Sequence, residues 1–129
     1  MFYDRDGIIL PNGLRIRYPK LRKEWDEEKQ KTSIVYDSRK GPVYLWGGAV
    51  VENVVQALAR IVVGVQMIEI NYKYRVALTV HDAAVCVIPE DEVDEAISYI
   101  TGIMSVAPEW ATGLPVACDV KAGDTYGDA

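Results

Sequence analysis

Only two cysteines and a single histidine occur among the 129 residues. Cys86 and Cys118 lack metal-ligand spacing and lie in apolar, strand-like stretches, so they read as buried free thiols. With one histidine, no Ser/His/Asp or Cys/His set is recognisable. Neither a P-loop nor a Rossmann glycine pattern occurs, and Gly123 and Gly127 in the tail are too sparse to cradle a phosphate. No apolar run approaches the ~20 residues needed to cross a bilayer. The N-terminal MFYDRDG has no secretory h-region. These two absences predict a cytoplasmic protein with no membrane partner. Repeats and low-complexity stretches are also missing.

What is present suits a globular chain. Half of the residues are hydrophobic and 26% are charged, and the length fits one domain, residues 1–129, around one core. The net charge of -5 hides an asymmetry. Residues 1–40 carry ten Lys/Arg against seven Asp/Glu, a balance of +3; residues 41–129 carry four against twelve, a balance of -8. Nucleic-acid binders are usually basic because phosphate contacts supply much of their affinity. Total charge therefore counts against a stand-alone nucleic-acid role.

The pattern along the chain predicts α+β architecture. GIILPNGLRIRYP (7–19) signals a hairpin, with a Pro-Asn-Gly turn between alternating strands. KLRKEWDEEKQKT reads as a solvated loop, followed by short strands near Ile34–Tyr36 and Val43–Trp46. From about Ala49 to Asn71, Val51, Val54, Val55, Leu58, Ile61, Val62 and Val65 gather on one side of a helix. Glu52, Asn53, Gln56 and Arg60 gather on the other. Val63, Gly64 and Met67 then extend that outer face without charge, which predicts a covering partner, most simply a second copy in a two-fold homodimer. A strand from Arg75 to His81, a tight connection at Asp82-Ala83 and a return strand to Ile88 follow. A second helix opens at Pro89 and the acidic Glu90–Glu92. A final strand is predicted at Leu114–Val120. The order implies a small antiparallel sheet with helices packed on one face.

Two readings of Asp82 remain open on spacing alone. A carboxylate on a rigid hairpin tip can hold Mg²⁺, which takes one or two protein carboxylates besides phosphate oxygens and water. Asp also favours turns for purely conformational reasons. His81 is equally open between hydrogen-bonded structure and chemistry. Asn53 and Gln56 can read groove edges and Arg60 can pair a phosphate, or the stripe is simply the solvated face of a surface helix.

Taken in order, three segments resemble family A DNA polymerases, the bacterial DNA polymerase I group, and within it the phage branch. TVHDA resembles the palm signature V-H-D-E. WGGAVVENVVQALAR is similar to the preceding helix, which in phage members tends to read Y-G-G-K-L-V-E-N-x-V-Q-A-x-A-R-D. GLPVACDVKAGDTYGD is similar to the closing strand and C-terminal tail. The likeness runs from about Ile8 to the end.

The resemblance implies a C-terminal palm portion of a DNA-directed DNA polymerase, with template-directed nucleotidyl transfer by two Mg²⁺ ions in the complete enzyme. It implies Asp82 as a catalytic metal ligand and His81 as its neighbour near the primer end. Gln56 matches a glutamine that contacts the duplex minor groove. The family's asparagine stands four residues before that glutamine, where this chain has Glu52, so Asn53 is its offset counterpart. Arg60 matches the phage pattern. The implied partners are the remainder of the polymerase and primer–template DNA, and the chain alone is expected to bind no cofactor tightly. Ala83, Ala49 and Ile61 depart from the family, standing where a carboxylate, a lysine and an aspartate are usual. The second metal-binding aspartate segment and the fingers helix are missing, so this chain alone is expected not to polymerise. The loss of charge leaves open a non-catalytic interaction module, decayed or engineered on a palm scaffold.

Overall fold

The structure, a computed structural model, describes residues 2–4 and 7–128. Residues 1, 5 and 6 of MFYDRDG, where the missing h-region was read, lie outside the described residues. Strands β1 (Phe2–Asp4), β2 (Gly7–Ile9), β3 (Arg15–Arg17), β4 (Arg22–Asp26), β5 (Lys31–Ser38) and β6 (Gly41–Leu45) precede helix α1 (Gly47–Asn71). Hairpin strands β7 (Val76–Val80) and β8 (Ala83–Cys86) follow, then α2 (Val93–Met104). The chain is α+β, as its order implied. Its strands distribute over three antiparallel sheets, β1-β2-β3, β4-β5-β6 and β7-β8. Contacts cluster into two compact units, residues 1–58 and 59–129, and α1 carries the chain from one into the other.

In the first unit, the predicted hairpin forms with β2 paired to β3, Ile8 opposite Ile16. Its turn is closed by Gly13 N–H donating to Leu10 O at 2.9 Å and Leu14 N–H donating to Asn12 Oδ1 at 3.1 Å. Gly13 has φ 81°, which only glycine adopts readily. The charged stretch predicted as a loop is instead β4, a turn and the start of β5. Lys23 pairs with Ile34 and Trp25 with Thr32. Pairing with an apolar strand overrode composition here, because a hairpin with charges on its solvated positions still satisfies its backbone. The turn is held by Asp26, whose carboxylate accepts from the Lys29 N–H at 3.0 Å. Val35 is the fully buried residue of this sheet.

In the second unit, Ile70, Tyr74 and Ala96 form the buried cluster, with Val76, Cys86, Ile88, Tyr99, Ile100, Ile103 and Met104 against it. The Tyr74 and Tyr99 rings meet edge-on at 5.7 Å. Burial of α1 differs from its sequence stripe. Ile61 is buried as expected, but so are Val63, Gln66 and Ile70, while Val51, Val55 and Val65 are exposed. At 100° per residue the Val63–Gln66–Ile70 line lies about a third of a turn from the predicted stripe. Gln66 is accommodated inside because its Nε2 donates to Met104 O at 3.1 Å. Val63 is thus no part of an outer patch, and the covering surface predicted for it is corrected accordingly.

Three further expectations change. Leu114–Val120 forms no strand; Pro115 lacks an N–H, and no described strand pairs with this stretch. Cys118 lies in that irregular stretch; it and Cys86 are free and half-buried. Finally, α1 runs for 25 residues with a mean hydropathy of 1.5 over its best 18-residue window. By length and composition alone it is long and apolar enough to cross a membrane, which counting uninterrupted apolar runs had overlooked. Glu52 and Arg60 had broken the count.

Large apolar side chains remain at the surface of both units: Trp25, Trp46, Val65, Ile68, Tyr72 and Val87 are each more than half exposed.

Candidate functional site

The β7–β8 hairpin presents the site's centre. Val80 pairs with Ala83, leaving His81 and Asp82 as a two-residue turn one position earlier than predicted. His81 has φ 55°, a left-handed conformation that costs a non-glycine residue about 1 kcal/mol. Two-residue hairpin turns ordinarily place glycine at such a position. Both side chains are exposed, and among the described residues neither makes a hydrogen bond or ion pair. A strained, unpaired His-Asp tip is poor design for stability alone. Ala83 begins β8 beside it and supplies no second carboxylate.

Gln56, Asn53 and Arg60 lie on α1. Asn53 is half-buried, and its Nδ2 donates to the Tyr18 hydroxyl at 3.1 Å. Tyr18 is itself buried and packs edge-on against Tyr36 at 5.2 Å. Asn53 therefore ties the start of α1 to the first unit. Gln56 is exposed one turn on, donating from Nε2 to Glu52 Oε1 at 3.2 Å. Arg60 is exposed. The structure thus brings His81 and Asp82 to one tip in the second unit, whereas Asn53 and Gln56 belong to the first unit and turn to different neighbours.

Among the described residues no three His, Cys, Asp or Glu side chains cluster to hold a metal ion.

Electrostatics elsewhere is structural. Arg22 donates to Asp37 Oδ1 at 2.8 Å and to Glu24 Oε1 at 2.6 Å, and Lys20 lies 3.2 Å from Asp37. The Arg22 hydrogen bond, then that of Lys20, holds the Asp37 carboxyl below its ordinary range. Lys73 pairs with Glu95 and lies over the rings of Tyr74 and Tyr99. That hydrogen bond raises the Lys73 pKa, and burial raises those of the Tyr74 hydroxyl and the Cys86 thiol.

Two features of the surface were not read from the sequence. An apolar groove of ≈ 310 Å³ runs between Ile61, Val62 and Val65 of α1 and the 103–110 segment, ending at Trp110. A second hollow, of ≈ 440 Å³, lies between α1 at Gly64, Met67 and Ile68 and strand β7. The sequence signal for the first was there: its α1 wall includes Ile61, Val62 and Val65 of the predicted apolar stripe, of which Val65 is exposed.

An α+β chain with an exposed carboxylate on a two-stranded support is an open class of protein. The comparisons narrow it. The chain is 34% identical over 136 aligned positions to a DNA polymerase of Bacillus phage SP02, an alignment taking in 97% of this chain and 20% of that polymerase. It is a DNA polymerase-related polypeptide spanning about a fifth of the length of that relative. No family model and no solved structure matches it.

Proposed function

We propose that this chain is the C-terminal palm portion of a phage-type family A DNA-directed DNA polymerase, contributing to template-directed nucleotidyl transfer. The observation that carries the reading is the conjunction of similarity over 97% of this chain to a fifth of a phage polymerase with an unpaired, exposed Asp82 at the position that resembles the palm signature. Asp82 supplies one carboxylate toward Mg²⁺, and the remaining ligands come from residues outside this chain. Bound there, the ions would stabilise the attacking and leaving oxygens. His81 stands beside the primer end, while Gln56 and Arg60 face the duplex. Asn53, the offset counterpart of the family's asparagine, joins them on the DNA side by exchanging its hydrogen bond to Tyr18 for one to the duplex. The polymerase remainder and primer–template DNA are the partners, in the host cytoplasm.

The test joins this chain to the missing part of a phage polymerase and measures Mg²⁺-dependent primer extension. Asp82→Ala should lower extension at least about 1,000-fold, as losses of essential catalytic groups do. An unimpaired Asp82→Ala complex overturns the assignment.

One observation favours a second reading, an interaction module. Gly64 and Met67 border the hollow against β7, where Ile68 and Tyr72 are 60% and 78% exposed. A second copy seated there would form a two-fold homodimer. Light scattering at micromolar concentration should then give twice the 14.4 kDa mass, reverting to one on Ile68→Glu. A monomer at every concentration excludes it.

A further inference from the structure

The β7–β8 hairpin is held at one end and free at the other. Val76 and Cys86, the pair at its base, pack against the buried cluster of Ile70, Tyr74 and Ala96, and Ile88 follows them there. Beyond that pair Ala77, Leu78, Val80 and Ala83 are exposed, and the larger hollow opens beside Ala77, Leu78 and Thr79. The His81-Asp82 tip makes no hydrogen bond or ion pair among the described residues. Nothing described at the tip fixes its direction, so the base must.

Asn71 stands where that direction is set. It is the last residue of α1, and its Oδ1 accepts the N–H of Val76, the first residue of β7, at 3.2 Å. The connection between them, residues 72–75, is wound back on the helix: Lys73 and Tyr74 both donate their N–H to Ile70 O, at 3.1 and 2.9 Å. The hairpin register shifts directly afterwards, between Val76 and Leu78, and such an irregularity bends a strand and increases its twist. Across the base the closure is longer, Val87 N–H donating to Arg75 O at 3.4 Å. The Asn71 side chain therefore fixes the strand to the helix just before the bend.

Leverage makes this anchor matter. From Val76 to His81 the strand extends about 17 Å, so a tilt of about 5° at the base carries the tip through about 1.5 Å. A misplacement of about 1 Å at a reacting centre can cost about a hundredfold in rate. We infer that Asn71 is a positioning residue, setting through its bond to Val76 the direction in which Asp82 is presented for nucleotidyl transfer. The inference rests on the polymerase reading and adds to it a residue at the opposite end of the hairpin from Asp82.

Two measurements test it. Residual dipolar couplings of the 129-residue chain report the direction of the hairpin amides against the helices without any catalysis. Asn71→Ala should shift the couplings of residues 78–85, while residues 59–70 and 93–104 keep their mutual orientation. Asn71→Asp retains the acceptor and should leave the hairpin as it is. In the complex with the missing part of a phage polymerase, Asn71→Ala should lower kcat for primer extension about tenfold to a hundredfold. KM for the nucleotide should stay unchanged, and Asn71→Asp should restore the rate. Circular dichroism at the assay temperature monitors folding, and Asn71→Leu, similar in size but without the acceptor, repeats both measurements if the alanine variant unfolds. Unchanged couplings, an unchanged kcat, a loss confined to KM, or an Asn71→Asp complex as slow as the alanine variant overturns the proposal. Asp82→Ala is assayed alongside. An unimpaired Asp82→Ala complex overturns the polymerase reading and this role with it, whereas an inactive one beside a fully active Asn71→Ala complex overturns the positioning role alone.

Discussion

The two units of this chain are built on opposite terms. The first is made of two three-stranded sheets and the start of α1, and its ten Lys/Arg against eight Asp/Glu leave it at +2. The second is mainly helical, with four against eleven, at -7. The first pairs Arg22 of β4 with Asp37 of β5, adds Lys20 to the same carboxylate, and buries Leu10, Tyr18 and Val35. The second is tied by an apolar cluster at Ile70, Tyr74 and Ala96. The two units thus differ in charge as well as in core, and the exposed Asp82 lies in the acidic one.

The contrast breaks most easily in the cores. Ile70→Ala should cost about 2–5 kcal/mol and strip hydrogen-exchange protection from 59–104, while β4–β6 amides keep theirs. Equal loss in both units would show that the core is shared. Val35→Ala should do the reverse at about 2 kcal/mol, exposing β4–β6 amides first. His81→Gly sharpens the comparison from the other direction. Relieving the left-handed residue should stabilise the β7–β8 hairpin by about 1 kcal/mol. It should impair extension in the reconstituted enzyme, the signature of strain retained for function. A destabilised hairpin would mean that the histidine ring itself holds the turn.

The smallest effects are in pH, and they should appear at opposite ends. Asp37 and Asp26 have folded pKa values held below 3.8. Their contribution is present above the unfolded value and is lost as pH falls below about 4. Lys73 and Tyr74 are raised above 10.5 and 10.0. Their contribution is complete below those values and is lost as pH rises beyond them. Denaturant melts followed by Trp25 and Trp46 should therefore weaken first in acid, and amides of α2 first in alkali. Asp37→Asn should flatten the acid limb; if it does not, the Arg22–Lys20 network contributes little to stability, as exposed pairs often do.

Much of the organisation was legible because it is local. The Pro-Asn-Gly hairpin, the long helix, the β7–β8 pair and the acidic start of α2 each carry their own signal in turn chemistry or periodicity. The exposed Asp82 tip was equally legible, since a two-residue turn must project its side chains. The loop predicted at KLRKEWDEEKQKT failed because its partner strand, not its composition, determined its fate. Asn53 read as a polar surface residue because nothing nearby in sequence announces Tyr18, 35 residues earlier.

The amino-acid order by itself determined that α1 would be a helix and that a hairpin would turn at Asp82, though one position earlier than read, because backbone propensity and turn geometry act over a few residues. Only the tertiary structure decided which side of α1 was buried. Between Ile61 and Ile70 the helix is apolar nearly all round, so periodicity offers no single face. The choice fell to α2, whose Met104 carbonyl admits Gln66 and leaves Val65 at the surface.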